Sequence, residues 1–257
     1  MSNTVLAEPF AGNPHILVIT LNRPDARNAV NSEVARALAA TLDGFDNDPD
    51  RRVGVLTGAG AGFSAGMDLK AFLTGDLPFI DGRGFAGFTQ APPRKPLIAA
   101  IEGFALAGGL EMALACDLIV ASNDARLGLP EVTRALVAAG GGLLRLAQRI
   151  PYHVAAEVAL TGQPMSVDRL REVGLLNRVT EPGAALQTAL KLADTIASNG
   201  PLAVTGSKHI LSQAGDWGLG AGWGLQAGTA DLVNSSDDAQ EGSRAFAERR
   251  QPVWTGR

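Results

Sequence analysis

Residues 97–116, LIAAIEGFALAGGLEMALAC, constrain the fold of this chain more than any other stretch. Residues 97–101 are apolar without a break, as in a strand buried on both faces. Residues 110–116 are apolar apart from Glu111 and read as a helix. Gly108-Gly109 stands where that helix begins. A strand that passes through small residues straight into an apolar helix belongs to a mixed α/β interior. A glycine pair at that point lets a ligand approach the backbone closely. The free N–H groups and the dipole of a helix start favour developing negative charge. Glu111 follows one turn later. Two readings are open at this point: an oxyanion donor with a carboxylate beside a carbonyl, or a tight turn followed by an ordinary first-turn charge.

Composition narrows the functional classes. The 257 residues are 46% hydrophobic and 19% charged, a globular balance with enough length for a large core. A net charge of −4 argues against a general nucleic-acid surface. The apolar runs are too short to span a bilayer. Residues 1–8 lack the basic and apolar regions of a secretory signal, so the expectation is a soluble cytoplasmic protein. Cys116 is the single cysteine and lies in an apolar run, as inert core does. His15, His153 and His209 have no ligand-like spacing, and no metal site is expected. Ser64 lacks a visible His/Asp partnership, and residues 58–62 are not followed by the Lys-Ser/Thr of a phosphate loop.

Along the chain, strands are expected over 15–21, 53–57, 97–101, 117–122, 125–129 and 176–180. A helix capped by Asn31 or Ser32 places Val34, Leu38, Leu42 and Phe45 on one face. Further helices are expected to start near Gly66-Met67, after Gly140-Gly141-Gly142, at Pro151 and after Ser166. Residues 71–95 are poorly periodic and carry Phe72, Phe79, Phe85 and Phe88, which suit either an apolar ligand pocket or satellite packing. From 183 onward the pattern is helical over 183–198, 201–213, part of 217–234 and 237–250. The expected division is therefore a mixed α/β core over 1–182 and a helical part over 183–257. The three tryptophans, Trp217, Trp223 and Trp254, are expected to pack helices.

Three stretches look chemical: 63–70 with Gly66-Met67, 107–111, and Leu127-Gly128-Leu129-Pro130-Glu131. Their order and spacing closely resemble the crotonase (enoyl-CoA hydratase/isomerase) superfamily, and enoyl-CoA hydratases in particular. The resemblance covers nearly the whole chain. It includes Leu21-Asn22-Arg23-Pro24 with Asn28-Ala29, and Glu241-Gly242 through Ala245-Phe246 to Pro252.

The resemblance implies a spiral of ββα units with two roughly perpendicular sheets and a helical C-terminal oligomerisation region, built into homotrimers or hexamers that are dimers of trimers. It implies an acyl-CoA thioester as substrate and no separate cofactor. Carried over, the oxyanion donors are the N–H groups of Met67 and Gly108, and the catalytic pair is Glu111 and Glu131. Hydration of a trans-2-enoyl thioester needs a carboxylate to activate water and a neutral acid to protonate Cα. These roles fall to Glu111 and Glu131 respectively. Coenzyme A would lie along Asp25, Ala26, Arg27 and Ala29, and along Ala65, Gly66, Met67, Asp68, Leu69 and Lys70. Arg27 and Lys70 suit phosphates, or equally a solvated surface.

Typical hydratases carry Pro-Gly seven and eight residues after the second glutamate, where a backbone N–H helps hold the water. This chain has Ala138-Ala139, so the Ala139 N–H takes that place. Isomerases of the superfamily often keep only the second glutamate, and the presence of Glu111 favours hydration. Isomerisation, a specialised dehydration such as that of a carnitinyl thioester, and non-catalytic acyl-CoA binding are the alternatives.

Overall fold

The computed structural model describes residues 3–257. The chain begins with β1 (Val5–Phe10) and β2 (Asn13–Leu21). A 3-10 turn (Pro24–Ala26) then leads to α1 (Ser32–Asn47), β3 (Val53–Gly58) and α2 (Leu69–Leu73). A small hairpin, β4 (Phe79–Ile80) with β5 (Gly84–Phe85), precedes β6 (Leu97–Ile101), β7 (Phe104–Leu106) and α3 (Gly108–Ala115). There follow β8 (Leu118–Ser122), β9 (Arg126–Gly128), a second 3-10 turn (Pro130–Arg134), α4 (Gly142–Arg149), α5 (Tyr152–Thr161), α6 (Val167–Glu172) and β10 (Arg178–Thr180). Helices α7 (Ala185–Ala197), α8 (Pro201–Asn234) and α9 (Asp237–Glu248) complete the chain.

One six-stranded sheet has the order β1-β2-β3-β6-β8-β10, antiparallel at β1–β2 and parallel elsewhere. Alternation along a strand explains why residues 97–101 are apolar throughout. Leu97, Ala99 and Ile101 enter the large core with α1 and α3, whereas Ile98 and Ala100 enter a second cluster under α7. Ala185, Ala189 and Ala193 of α7 are fully buried there, because small side chains let the helix sit close on the sheet.

A second, smaller sheet pairs β7 with β9 in parallel. It extends through single bridges, Ser64 to Ala105 on one side and Leu127 to Met165 on the other. Each winding of the chain thus adds a long strand to the large sheet, a short segment to the small one, and then a helix or helical turn. This is the expected ββα spiral.

Several local expectations shift. β1 went unanticipated because Glu8 and Pro9 interrupt its pattern. It is an edge strand with its middle exposed, where such residues are tolerated. β7 is only three residues long and looks like a turn in sequence. Gly66-Met67 does not open a helix: Gly66 has φ +89°, Met67 bridges Val30, and α2 starts at Leu69 under the Asp68 cap. Residues 201–234 run as one element, interrupted at Gly218, where φ is 63° and ψ 153°. Phe85 and Phe88 are buried, whereas Phe72 and Phe79 remain partly exposed. Trp223 is exposed rather than packed between helices.

Candidate active site

The site is assembled from the small sheet outward. Asn28 is buried with φ 53°, and its side-chain amide donates to Ala59 O and Gly62 O, both at 2.8 Å. Its Oδ1 accepts from Arg23 N, and its own carbonyl accepts from Ser64 Oγ at 2.8 Å. Ser64 Oγ in turn accepts from Gly66 N. The turn after β2 therefore holds the 59–66 loop in place. Ser64, which shows no nucleophile's partners in sequence, is a structural brace here.

Gly66 lies directly against the start of α3. A Cβ on Gly66 would sit 2.6 Å from Gly108 N, and a Cβ on Gly109 would sit 2.2 Å from Ser64 O. Only glycine permits either approach. Val30 N donates to Gly66 O and Asp68 N to Val30 O, so Met67 N is the amide left between them. Among the described residues neither Met67 N nor Gly108 N has a protein acceptor. Ala107, which precedes Gly108, has φ 52° and ψ −129°, a conformation costly for a residue with a Cβ. Its N–H is tied to Gly128 O at 2.9 Å, which helps hold the turn that aims Gly108.

Glu111 lies one turn further along α3 and is only 4% exposed. Gly142 N donates to its Oε1 at 2.9 Å, and the nearby Gly140 N–H also favours the charged carboxylate. The fit is close: a Cβ at Gly140 would lie 2.6 Å from Oε2, and one at Gly142 would lie 2.8 Å from Cγ. Burial raises the Glu111 carboxyl, against the two N–H donors and the charge of Arg145. Glu131 stands on the 3-10 turn after β9, with its Oε2 buried and without a protein partner. Burial pushes Glu131 up to about 7. Its own N–H opposes the rise, the neighbouring Glu111 charge adds to it, and Arg134 opposes it. One carboxylate is thus solvated by the backbone and the other is poised to keep a proton.

A model described as enoyl-CoA hydratase/isomerase matches residues 11–257. The chain belongs to the enoyl-CoA hydratase/isomerase family. It is 41% identical over 254 residues to a protein of Mycobacterium tuberculosis named enoyl-CoA hydratase EchA19, covering 95% of this chain and 94% of that one. It is 40% identical over 250 residues to a carnitinyl-CoA dehydratase of Proteus mirabilis, covering 94% and 95%. A crystal structure of enoyl-CoA hydratase from Mycobacterium tuberculosis aligns with a TM-score of 0.96 at 52% identity, with both chains covered in full. The crotonase fold of the family accounts for the spiral and the helical C-terminal region.

Within this family fold, the residues expected at coenzyme A form one continuous edge. Ala65 N donates to Arg27 O at 3.0 Å, and the bonds through Val30 join residues 25–29 to 65–70. Asp25, Arg27, Leu69 and Lys70 are exposed, Ala26 and Ala65 half-buried, and Ala29 and Gly66 buried. The Asp68 carboxylate caps α2 through Lys70 N and Ala71 N and pairs with Arg23 at 3.0 Å, so it is already engaged. Ala139 is exposed and faces a cleft of about 1400 Å3 between the core and α8. The backbone donor on Glu111, Gly142 N, comes from three residues further on. The sequence marks the glycine triplet only as a helix start and Phe85 only as one of four pocket or packing phenylalanines; it gives no sign of Arg145.

Proposed function

We propose that this chain is an enoyl-CoA hydratase, adding water reversibly and syn across a trans-2-enoyl-CoA to give a (3S)-3-hydroxyacyl-CoA. The observation that carries the proposal is the unequal pair of carboxylates, Glu111 buried and Glu131 half-buried. Glu111 accepts a backbone N–H bond from Gly142, and Glu131 has a free buried oxygen and a proton held up to about 7. Glu111 takes a proton from water as its oxygen bonds to Cβ. The Cα=Cβ electrons move onto the thioester carbonyl, and the N–H groups of Met67 and Gly108 stabilise the resulting oxyanion. As the enolate collapses, Glu131 delivers its proton to Cα. Glu111 is then protonated and Glu131 ionised, and proton exchange with solvent restores the starting state. The dehydration direction reverses each role.

Coenzyme A is proposed along the joined 25–29 and 65–70 segments, with Arg27 and Lys70 meeting phosphates. Ala139 is retained as a wall residue near the water. No separate cofactor takes part in this scheme. A homotrimer, or a hexamer built from two trimers, is part of the same proposal, as is a cytoplasmic setting; exposed Leu211, Leu219, Trp223, Leu232 and Phe246 on α8 and α9 offer apolar surface for contact between copies. A dehydratase acting on a carnitinyl thioester is the second reading, favoured by the Proteus mirabilis relative.

Loss of enoyl-thioester ultraviolet absorbance across a panel of chain lengths tests the assignment. Turnover is expected for the wild type. Glu111→Gln and Glu131→Gln are each expected to lower kcat by on the order of 10³-fold or more, with acyl-CoA binding retained. Wild-type turnover by both variants would remove the two-glutamate mechanism. Selective dehydration of carnitinyl-CoA would decide for the second reading.

A further inference from the structure

Arg145 lies on α4, three residues after Gly142, and its half-buried side chain lies at the wall of the large cleft. One guanidinium N–H donates to Thr89 O at 2.5 Å. Another nitrogen lies so near Gly141 that a Cβ there would be 2.5 Å from it. Thr89 N in turn donates to Phe85 O. Phe85 is a wedge between the two halves of the site. Its ring fills the space where a Cβ on Gly108 would be, 2.4 Å from that position, and its Cβ lies 3.0 Å from that of a residue at Gly140. Phe79 stacks edge-on against it with ring centroids 5.6 Å apart.

We propose that Arg145 is a positioning residue for Glu111. From α4, which begins at Gly142, it is tied to the turn over residues 85–89, and so fixes the aim of the Gly142 N–H on the Glu111 carboxylate. The proposal rests on reading Glu111 as the water-activating base. The tether is one guanidinium–carbonyl bond to Thr89 O, which needs the reach and the fixed planar donors of arginine. Arg145 is also a cation acting on Glu111. The groups around it are Arg149 from α4, which repels it, Cys116 beyond α3, which burial keeps protonated, and Glu111 itself. Glu111 in turn faces Glu131, on which Arg134 acts.

The test is steady-state hydration and its pH profile for Arg145→Gln and Arg145→Lys, which keep most of the packing stem, alongside Glu111→Gln. For Arg145→Gln, kcat is expected to fall about 10²-fold with KM changed less than roughly threefold. The acid limb of kcat/KM, where Glu111 takes up its proton, should move up by roughly one pH unit. Arg145→Lys should bring the limb back toward the wild-type position while kcat recovers only in part. Loss of kcat with the limb unmoved would mean a merely structural arginine and overturn the proposal, as would wild-type behaviour of both variants. If Glu111→Gln itself turns over normally, the base assignment fails, and this proposal fails with it. If Glu111→Gln is inactive and the Arg145 variants are unchanged, only the role of Arg145 is refuted.

Discussion

At the scale of single residues, chemistry depends on backbone as much as on side chains. Glu111 is useful as a base only if it is ionised in a buried place, and the N–H groups of Gly140 and Gly142 supply that solvation. Gly142→Ala would put a Cβ 2.8 Å from Glu111 Cγ, so the carboxylate must move. We expect kcat to drop about 10²-fold in that variant while the circular dichroism spectrum stays native. Undiminished turnover would show that the carboxylate tolerates displacement. The two glutamates were legible in the sequence because each closes a recognisable motif. Their backbone partners were not, since the bond from Gly142 to Glu111 spans 31 positions and glycine carries no side-chain signal.

At the scale of elements, the loop over residues 59–67, proposed to carry one oxyanion donor, has no regular structure of its own and depends on a polar brace. Ser64 Oγ donates to Asn28 O and accepts from Gly66 N, and Ser64 is fully buried. Ser64→Ala removes both bonds and leaves two buried backbone groups unpaired. Urea unfolding is expected to show a loss of about 1–3 kcal/mol, larger than for an exposed serine, together with lower turnover. Stability equal to the wild type would mean that the loop is held by packing alone. Elements with a strong two-sided pattern, such as β6, were legible because both faces of the sheet are covered. β1 and β7 were not. An edge strand tolerates Pro9 and Glu8, and a three-residue strand is too short to show a period. α2 begins later than its glycine suggests, because Gly66 O and Asp68 N, on either side of Met67, are bonded to Val30.

At the scale of the whole molecule, windings of one spiral bring the parts together. The loop after β3 supplies Met67, α3 supplies Gly108 and Glu111, and the turn after β9 supplies Glu131. Stacking in the small sheet, from Ser64 through Ala105 to Leu127, fixes their relative heights. Helix α7 belongs by packing to the large sheet, and the exposed apolar side chains concentrate further on, along α8 and α9. That separation was only partly visible in the sequence, because α7 and α8 share a helical composition and differ in what covers them. The central claim is that this assembly adds water to a conjugated thioester. The most direct measurement is the reaction of trans-2-butenoyl-CoA in deuterated water, followed by NMR. We predict a 3-hydroxybutanoyl-CoA carrying one deuterium at C2, formed by the wild type and lost in Glu111→Gln. A product with its double bond moved to C3, or no reaction of a bound enoyl thioester at any chain length, would contradict the account.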